Sequence, residues 1–453
     1  MRRFALRLLA AVSLLAIVAA GATRPRYGGT LRMSMVAGPV SLDPVASQSD
    51  SLAWRNVVRL MFDTLVTLDD FGRIQPGLAT SWQMEPGGQR WQFEIRNGVR
   101  FTDGSPISLE STAASLRAAN PKWRVMANGQ ALVIECEAPC PDLPAELALP
   151  RYGITKRDGG RLAGSGPFTV NLWEPGKKLT LTAREDYWGG RAFVDVIEID
   201  LGSEFREPLA ALDAGGTDVI EIAPEQARRA AAENHRVESS SPFELLALVF
   251  TKDAASPEES RMRQALALCI DRASINEVLL QGGGEPTGAL LPNWMTGDSF
   301  LFPAMSDLER AQQLRSEIPH APKLTLSYDS LDPAARVIAE RIVLNARDAG
   351  FSLQLTDSGS SDVRLALLPL VSLDARVSLS DLAARTGLPE PDFDNSSPAE
   401  IYSAESGLLQ TRRVIPLLHL RAAAALGPNV RNWVETRDGG WNLPDVWLAP
   451  EKP

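Results

Sequence analysis

Alternating apolar and polar positions mark the clearest element in the chain, a strand that contains Trp91, Phe93 and Ile95. Side chains two residues apart lie on the same face of a strand, so this period places the three apolar residues on a core. A P-G-G sequence precedes the strand and an N-G sequence follows it, and both supply glycines for tight turns. Another turn signal, D-G at 103–104, comes one short strand later. The pattern predicts a β-meander over residues 75–106.

Helical periodicity elsewhere predicts helices that alternate with strands. A serine–proline pair at 256–257 predicts the start of one helix, because serine caps a helix and proline fits its first position. An aspartate–proline pair at 332–333 predicts the start of another, which ends at Gly350 between the apolar runs 324–327 and 351–355. A strand, a helix and a second strand in this order form a β-α-β unit, so the fold class is predicted to be α/β.

The N-terminus has the pattern of a targeting segment. Arginines within the first seven residues precede an apolar run at 8–20, which ends in A-G-A, a cleavage site of small residues. Because the run is short for a membrane span, we interpret residues 1–22 as a cleaved signal peptide, with a retained membrane anchor as the alternative. No cysteine lies near the cut. The sequence therefore predicts a soluble periplasmic protein without a lipid anchor.

Length and composition restrict the remaining possibilities. A chain of 453 residues is too long for one ordinary core and suggests two or three domains. Hydrophobic residues make up 44% and charged residues 23%, which are globular values. The formal net charge of −10 becomes −13 without the leader, and no long basic cluster appears, so nucleic-acid binding is not expected.

The cysteines and histidines predict neither a metal site nor a cofactor. Cys136 and Cys140 are close enough in sequence for a small-loop disulfide, and the sequence leaves open whether they form it. Cys269 lies in an apolar helical run and is expected to be a buried free thiol. The three histidines are scattered without metal-ligand spacing.

Two glycine-rich segments resemble phosphate-binding loops only superficially. The G-S-G-P-F sequence at 164–168 leads into a predicted strand, whereas a phosphate loop needs a helix N-terminus behind it. The Q-G-G-G sequence at 281–284 lacks the Lys-Ser or Lys-Thr of a Walker loop. The glycines at 164–166 are better explained as positions where the chain crosses sharply between domains.

Several motifs, taken in order, resemble one known family. The chain is similar to the family 5 solute-binding proteins of ABC transporters, the dipeptide-, oligopeptide- and nickel-binding group. The F-D-T-L-V segment at 62–66, also predicted to be a strand, is one of these motifs. The others are G-G-T-L-R at 28–32, P-G-L-A-T-S-W at 76–82, the meander, G-S-G-P-F at 164–168, D-Y-W-G-G at 186–190 and R-Q-A-L-A-L-C-I-D-R at 263–272.

The resemblance implies a two-lobe periplasmic-binding-protein fold of the α/β class, with a β-rich subdomain added to the first lobe and a hinge between lobes. The implied divisions are 1–22 for the signal peptide; 23–50, 163–243 and 425–453 for the core of lobe I; 51–162 for its accessory subdomain; and 244–424 for lobe II.

The resemblance also implies the function: a substrate-binding component of an ABC importer that captures a peptide or similar small solute by hinge closure. Its partners would be that ligand and the permease subunits, and the protein would be a monomer. The alternative is a degenerate or sensory solute-binding module that is not coupled to transport. A hydrolase is not expected, because no nucleophile has a recognisable orienting base.

The ligand site is expected between the lobes. By analogy, the ligand-binding candidates from both lobes are Leu42, Asp43, Arg151, Trp294, Phe393 and Tyr402. The resemblance fails between residues 372 and 412, where relatives carry an aspartate- and proline-rich loop that helps to form the ligand pocket. Asp392 or Asp394 are possible substitutes for its carboxylate. Specificity is therefore expected to depend on this altered region.

Overall fold

The computed structural model describes residues 24–45, 51–202, 206–297, 301–320, 322–356, 360–393 and 397–450. The predicted leader, residues 1–22, lies outside these ranges, as does Asp394. Within the described ranges, no helix is both long enough and apolar enough to cross a membrane.

A large sheet forms the centre of the first lobe, with seven strands in the described part of the chain. Its middle strand, Thr30–Met35, is parallel to the strands on both sides. Leu31 and Met33 of this strand are buried in a core with the helix Leu52–Met61. From edge to edge, the strands are Phe168–Glu174, Lys178–Ala183, Val196–Leu201, Thr30–Met35, Val219–Ile222, Ala423–Leu426 and Arg236–Ser239.

A second sheet forms the centre of the other lobe, with six strands among the described residues. The predicted β-α-β unit is confirmed there, because Leu324–Ser327 and Leu353–Thr356 pair in parallel and the helix Pro333–Asp348 connects them. Asp332 caps that helix by accepting the backbone N–H of Ala334 at 2.9 Å. In order, the strands are Gly284–Pro286, Val414–Leu420, Glu244–Phe250, Val363–Pro369, Leu324–Ser327 and Leu353–Thr356.

The predicted meander is confirmed as part of an antiparallel accessory sheet. Trp91 and Phe93 are buried, whereas Gln92 and Glu94 are exposed, as the period-2 pattern requires. In order, its strands are Ala79–Met84, Arg90–Ile95, Ala131–Glu135 and Arg124–Asn128. Two-stranded ribbons pair Val66–Leu68 with Ile74–Pro76, Lys156–Asp158 with Arg161–Ala163, and Val430–Arg431 with Trp447–Leu448.

The helices cover the faces of these sheets. The α-helices are Leu52–Met61, Leu109–Ala119, Leu143–Glu146, Arg206–Asp213, Pro224–Ala232, Pro257–Cys269, Arg272–Ser274, Asn293–Thr296, Leu308–Ser316, Pro333–Asp348, Ala375–Thr386 and Pro398–Gln410. Single turns of 3₁₀-helix cover Pro150–Tyr152 and Leu443–Asp445, and a π-turn covers Ile275–Leu279. Ser256 caps its helix as predicted, accepting the backbone N–H of Glu259 at 3.1 Å.

In the described part of the chain, two segments cross between the lobes. The chain leaves the first sheet after Ser239 and returns from the second sheet after Leu420. The two crossings are hydrogen-bonded to each other: the N–H of Ser240 donates to the carbonyl of Ala422 at 3.0 Å, and that of Phe243 donates to Leu420 at 2.9 Å. A paired double crossing of this kind can bend while it keeps the lobes in register.

Some local predictions change in the structure. The prediction of a strand at 62–66 is wrong over most of this range, because the observed strand is Val66–Leu68. Cys136 and Cys140 form a disulfide, and Cys269 is a buried free thiol. Gly164 lies so close to the end of the helix Leu52–Met61 that a Cβ there would be 2.0 Å from the carbonyl oxygen of Met61. Close backbone packing, without a phosphate site, therefore explains this glycine.

Candidate functional site

A chamber of about 450 Å³ lies where the two lobes and the accessory subdomain meet. Asp63 and Thr64 line it from the entry to the accessory subdomain. Ser372 and Leu373 line it from the second lobe, and Trp441 lines it from the final segment of the chain. Because groups from all three parts surround this space, we call it the main chamber. Its volume lies within the range of small-molecule sites.

Asp63 is held in the wall of the main chamber by two aromatic side chains. The Tyr187 hydroxyl donates to its Oδ1 at 2.9 Å, and the Trp188 indole N–H donates to its Oδ2 at 2.8 Å. Burial raises the pKa of Asp63 above its usual range, although these hydrogen bonds and nearby Arg184 oppose the shift. Both oxygens are occupied by internal donors, so this carboxylate has a structural role.

A buried ion pair forms another part of the wall. Arg59 donates to Oδ2 of Asp438 at 2.9 Å, and the Asp438 side chain is only 5% exposed. Burial alone would raise the pKa of Asp438, but the charge of Arg59 and the hydroxyl of Thr436 lower it to about 2. Asp438 is therefore ionised at neutral pH, and its charge is neutralised by Arg59.

A smaller chamber of about 190 Å³ shares Asp70 and Leu373 with the main chamber. Arg437, from the final segment of the chain, lines it together with two aromatic residues. The centre of its guanidinium is 5.2 Å from the centroid of the Phe71 ring and 5.4 Å from that of Trp294. These three residues, which we call the arginine clamp, come from the first lobe, the accessory subdomain and the second lobe.

Carboxyl groups cluster where the chain crosses between the lobes. Glu221 and Glu435 line a narrow pocket that shares Trp441 with the main chamber. Burial raises the pKa of Glu221 to about 7. Burial and the charge of Glu221 raise the pKa of Glu435 to about 8. Glu244, at the start of the strand after the crossing, also has its pKa raised by burial to about 7.

The segment after residue 372, which is expected from the sequence to differ from the family, packs against the accessory subdomain. The helix Ala375–Thr386 inserts Val377 into the accessory core. One residue earlier in the helix, Arg376 forms a 2.9 Å ion pair with Asp142 of the accessory subdomain. We call this helix the bridging helix, because it joins the second lobe to the accessory subdomain by apolar packing and by charge.

The structure places the three ligand residues predicted from the first lobe outside the two chambers. Leu42 packs against the core of the first sheet. Asp43 forms an ion pair with Arg157, with Nε–Oδ2 and Nη2–Oδ1 distances of 3.2 and 2.5 Å. Arg151 lies 3.8 Å from Asp381 of the bridging helix and is 39% exposed. None of these three predicted residues lines either chamber among the residues that the structure describes.

The predicted second-lobe residues are distributed differently. Trp294 lines the smaller chamber, and its indole N–H donates to the carbonyl of Pro242 at 2.8 Å. Phe393 lies under Arg376, 5.0 Å from its guanidinium, and Tyr402 stacks on Phe302 at 4.6 Å. The structure therefore brings Trp294 to a chamber wall and leaves the other two outside the two chambers. Ligand contact by each of them stays a prediction.

Sequence reasoning missed the residues that define the chambers most clearly. Arg437 and Phe71 lie in short polar turns and carry no motif. Asp63 lies inside a segment that resembles the family, which could have indicated that its carboxylate has a fixed partner. Among the described residues, no group of three or more His, Cys, Asp or Glu side chains is arranged to hold a metal ion.

Comparison with known proteins identifies the family. The sequence profile of the bacterial extracellular solute-binding proteins, family 5 Middle, matches residues 73–396. The chain belongs to this family. Family membership agrees with the ordered motifs and with the separation of two sheets by a double crossing.

Curated relatives of the family match the sequence at low identity. Nickel-binding protein NikA of Staphylococcus aureus is 24% identical over 241 residues, which cover 49% of this chain and 49% of that protein. The match thus spans about half the length of that relative. Periplasmic murein peptide-binding protein MppA of Escherichia coli is 23% identical over 372 residues, with coverage of 70% and 68%.

Solved structures of the family confirm the two-lobe fold. NikA from Brucella suis in complex with Fe(III)-EDTA superposes with a TM-score of 0.81 and 18% identity, covering 93% of this chain and all of that one. The oligopeptide-binding protein AppA from Bacillus subtilis, in complex with a nonapeptide, gives a TM-score of 0.77 and 16% identity, covering 94% of this chain and 100% of that one.

Proposed function

We propose that this protein is the substrate-binding component of an ABC importer that captures a peptide or similar small solute between its lobes. The observation that carries the proposal is the main chamber, whose wall contains residues from both lobes and from the accessory subdomain. A ligand that contacts all three parts stabilises the closed arrangement over the open one. Binding is non-covalent, and no chemical step is proposed.

The relatives support this class of ligand. MppA is described as binding murein peptide, the AppA structure holds a nonapeptide, and NikA is described as nickel-binding. We propose a peptide or similar solute as the ligand of this chain and ABC permease subunits as its partners, with the binding protein acting as a monomer. We also propose secretion to the periplasm after cleavage of residues 1–22.

The structure supports the proposed division into lobes. The six described strands of the second sheet lie within 244–424, and six of the seven described strands of the first sheet lie within the segments assigned to lobe I. The seventh, Ala423–Leu426, spans the proposed boundary at 424, and the four-stranded accessory sheet lies within 51–162. We propose that closure occurs at the paired crossings near Ser240 and Ala422. Bending there changes the distance between the chamber walls without breaking either sheet.

A thermal-shift screen of the mature protein tests this proposal. Short peptides, sugars and nickel chelates are the probes, and we expect a peptide to raise the midpoint of unfolding by mass action. Thr67→Trp should abolish the increase, because Thr67 lines the main chamber and a tryptophan there would occupy it. Thr80→Trp is the matched control, since Thr80 is an exposed strand residue outside that chamber. No midpoint shift with any probe class would contradict the proposal.

One observation favours a second candidate, a sensory or degenerate module that is not coupled to transport. The bridging helix ties the second lobe to the accessory subdomain through Arg376 and Asp142. Such a tie can hold the lobes closed without a ligand. Uptake assays in a strain that lacks the protein separate the two candidates, because only the importer component is needed for solute accumulation.

A further inference from the structure

Three glutamates lie around the two crossing segments: Glu221, Glu244 and Glu435. We call them the hinge carboxyls. Glu221 belongs to the first sheet, and Glu435 lies in the final segment of the chain, where it forms a β-bridge with Trp441. Glu244 is the first residue of the strand Glu244–Phe250, which begins the second sheet directly after the crossing. Because the hinge carboxyls come from both lobes, bending at the crossings moves Glu244 relative to the other two.

The strand register brings carboxyl groups together around a small residue. Ala424 pairs with Glu221 on one side and with Glu238 on the other. Paired residues of neighbouring strands point to the same face of a sheet, so both glutamates flank the alanine methyl group. Glu435 lines the same narrow pocket as Glu221 and Ala424. Its volume of about 10 Å³ is far below that of a small-molecule site, so this pocket does not hold a solute.

A buried cation, the guanidinium of Arg55, faces the hinge carboxyls from the helix Leu52–Met61. Its side chain is only 1% exposed and donates to the carbonyl oxygen of Leu370 in the second lobe. Burial raises the pKa of Glu244, and the charge of Arg55 opposes that rise without cancelling it. Arg55 also faces the ionised Asp438. The guanidinium is therefore shared, and it does not neutralise the hinge carboxyls.

Two further arginines lie at the crossings and have other partners. Arg236 pairs with Glu238 at 3.0 Å, and Arg421 pairs with Glu285. Burial raises the pKa of Glu435, and the charge of the facing Glu238 raises it further. The charges around the hinge carboxyls thus favour their neutral form.

The contacts of Glu435 agree with this conclusion. Its Oε2 atom is buried and forms no hydrogen bond with any residue that the structure describes. A buried anion without a partner is costly, whereas the neutral acid avoids most of that cost. The packed arrangement of the crossings that the structure shows is therefore more stable with neutral hinge carboxyls than with ionised ones.

We propose that the hinge carboxyls make the closure of the lobes depend on pH. This inference rests on the proposed function, because it uses the paired crossings as the point of bending. When the carboxyls are protonated, they pack without charge, and the packed arrangement is favoured. When they are ionised, Glu221 and Glu244 repel each other across the crossing. Bending that separates them and admits water is then favoured.

The direction of the pH dependence follows from proton binding. In the packed arrangement, burial raises the pKa of Glu221 and Glu244 to about 7 and that of Glu435 to about 8. Opening admits water and lowers these pKa values toward the ordinary range, so the packed arrangement binds protons more tightly. Raising the pH from about 6 to about 8 should therefore lower the equilibrium constant for closure by about tenfold or more. A solute that binds the closed arrangement is then held more tightly at mildly acidic pH.

Distance measurements between the lobes test the proposal on the mature protein. Thr182→Cys in the first lobe and Gln354→Cys in the second, both at exposed strand positions, carry nitroxide labels for double electron–electron resonance. The native cysteines do not interfere, because Cys136 and Cys140 form a disulfide and Cys269 is buried. We expect the population with the longer distance to increase between about pH 6 and about pH 8. A distance distribution that does not change over this range would overturn the proposal.

Circular dichroism of the same samples separates opening from unfolding. Opening at the crossings bends the chain between the sheets, so the helix and strand content should be the same at both pH values. A loss of ellipticity that accompanies the change in distance would overturn the proposal, because the pH effect would then belong to unfolding.

Substitutions assign the effect to the hinge carboxyls. Glu435→Gln and Glu244→Gln replace titrating groups with neutral ones, so each should reduce the pH-dependent change in the closure constant by about threefold or more. Glu198→Gln is the matched control, because Glu198 also lies in a strand of the first sheet but pairs with Lys178 at 2.9 Å, away from the crossings. An unchanged pH response in both hinge variants, or an equal reduction in the control, would overturn the assignment.

Failure of the switch and failure of the proposed function are distinguishable. Opening that depends on pH, in a protein that gives no thermal shift with peptides, sugars or chelates, would retain the switch and refute the solute-binding proposal as stated. A thermal shift induced by a peptide, together with lobe distances that do not depend on pH, would retain the function and refute the switch.

Discussion

The hydroxyl of Tyr187 donates a hydrogen bond to Asp63 at 2.9 Å, although 124 residues separate the two in sequence. Asp63 lies in the F-D-T-L-V segment and Tyr187 in D-Y-W-G-G, two of the motifs that indicated the family. The structure gives a physical reason for their joint presence. One motif supplies a buried carboxylate at the wall of the main chamber, and the other supplies its two donors.

Replacement of Asp63 should destabilise the protein. Asp63→Ala leaves the hydroxyl of Tyr187 and the indole N–H of Trp188 without their acceptor, which costs about 2–4 kcal/mol of unfolding free energy. Asp63→Asn should cost less, because the amide oxygen still accepts one of the bonds. Urea denaturation measures both. Glu185→Gln is the control, since Glu185 is 75% exposed in its pair with Arg191 and the substitution should change stability by less than about 1 kcal/mol.

The carboxyl groups near the crossing predict a fall in stability as pH rises. The folded state raises the pKa of Glu221 and Glu244 to about 7 and that of Glu435 to about 8, above the ordinary value of 4.5. Between pH 4.5 and pH 8, the folded state therefore binds more protons than the unfolded state. The contribution of these groups to stability is greatest near pH 4.5 and decreases as the pH rises to 8.

Glu435→Gln tests the origin of this pH dependence. The amide imitates the protonated acid. When the pH is raised from mildly acidic to mildly alkaline, the melting temperature of the variant should therefore decrease less than that of the wild type. Glu340→Gln, in the exposed pair with Arg336, should retain the wild-type profile. Identical profiles for the wild type and the Glu435 variant would refute this explanation.

The ion pair between Arg376 and Asp142 should couple the bridging helix to the accessory subdomain. Arg376→Gln should accelerate amide hydrogen exchange in Ala375–Thr386, because the helix then keeps only its apolar packing and the longer contact between Asp381 and Arg151. A double-mutant cycle with Asp142→Asn should give a coupling energy of about 0.5–1 kcal/mol. Additive effects of the two substitutions would show that the pair does not hold the helix in place.

The sequence predicted local structure better than it predicted the site. The alternation of apolar and polar residues correctly predicted that Trp91 and Phe93 are buried. Every second side chain of a strand lies on the same face, and this period of two can be read directly from the sequence. The site depends on contacts between distant segments. Arg437 and Phe71 meet across 366 positions, and neither has a neighbouring pattern that would reveal the other. Trp294 was predicted as a ligand-binding residue by analogy with the family, and the structure places it in the arginine clamp.

The disulfide between Cys136 and Cys140 predicts a specific count of reactive thiols. Because Cys269 is the remaining cysteine, the unfolded protein should react with one equivalent of a thiol reagent without reductant and with three after reduction. The folded protein should react slowly or not at all, since burial raises the pKa of Cys269 to about 12 and the thiolate is the reactive form.

The same disulfide should stabilise the folded protein. Cys136→Ser combined with Cys140→Ser should lower the unfolding free energy by about 2 kcal/mol, which is the entropic contribution expected for closing so short a loop. Three reactive thiols in the unreduced, unfolded protein would refute the bridge. Equal stability of the double variant and the wild type would show that the loop is ordered without it.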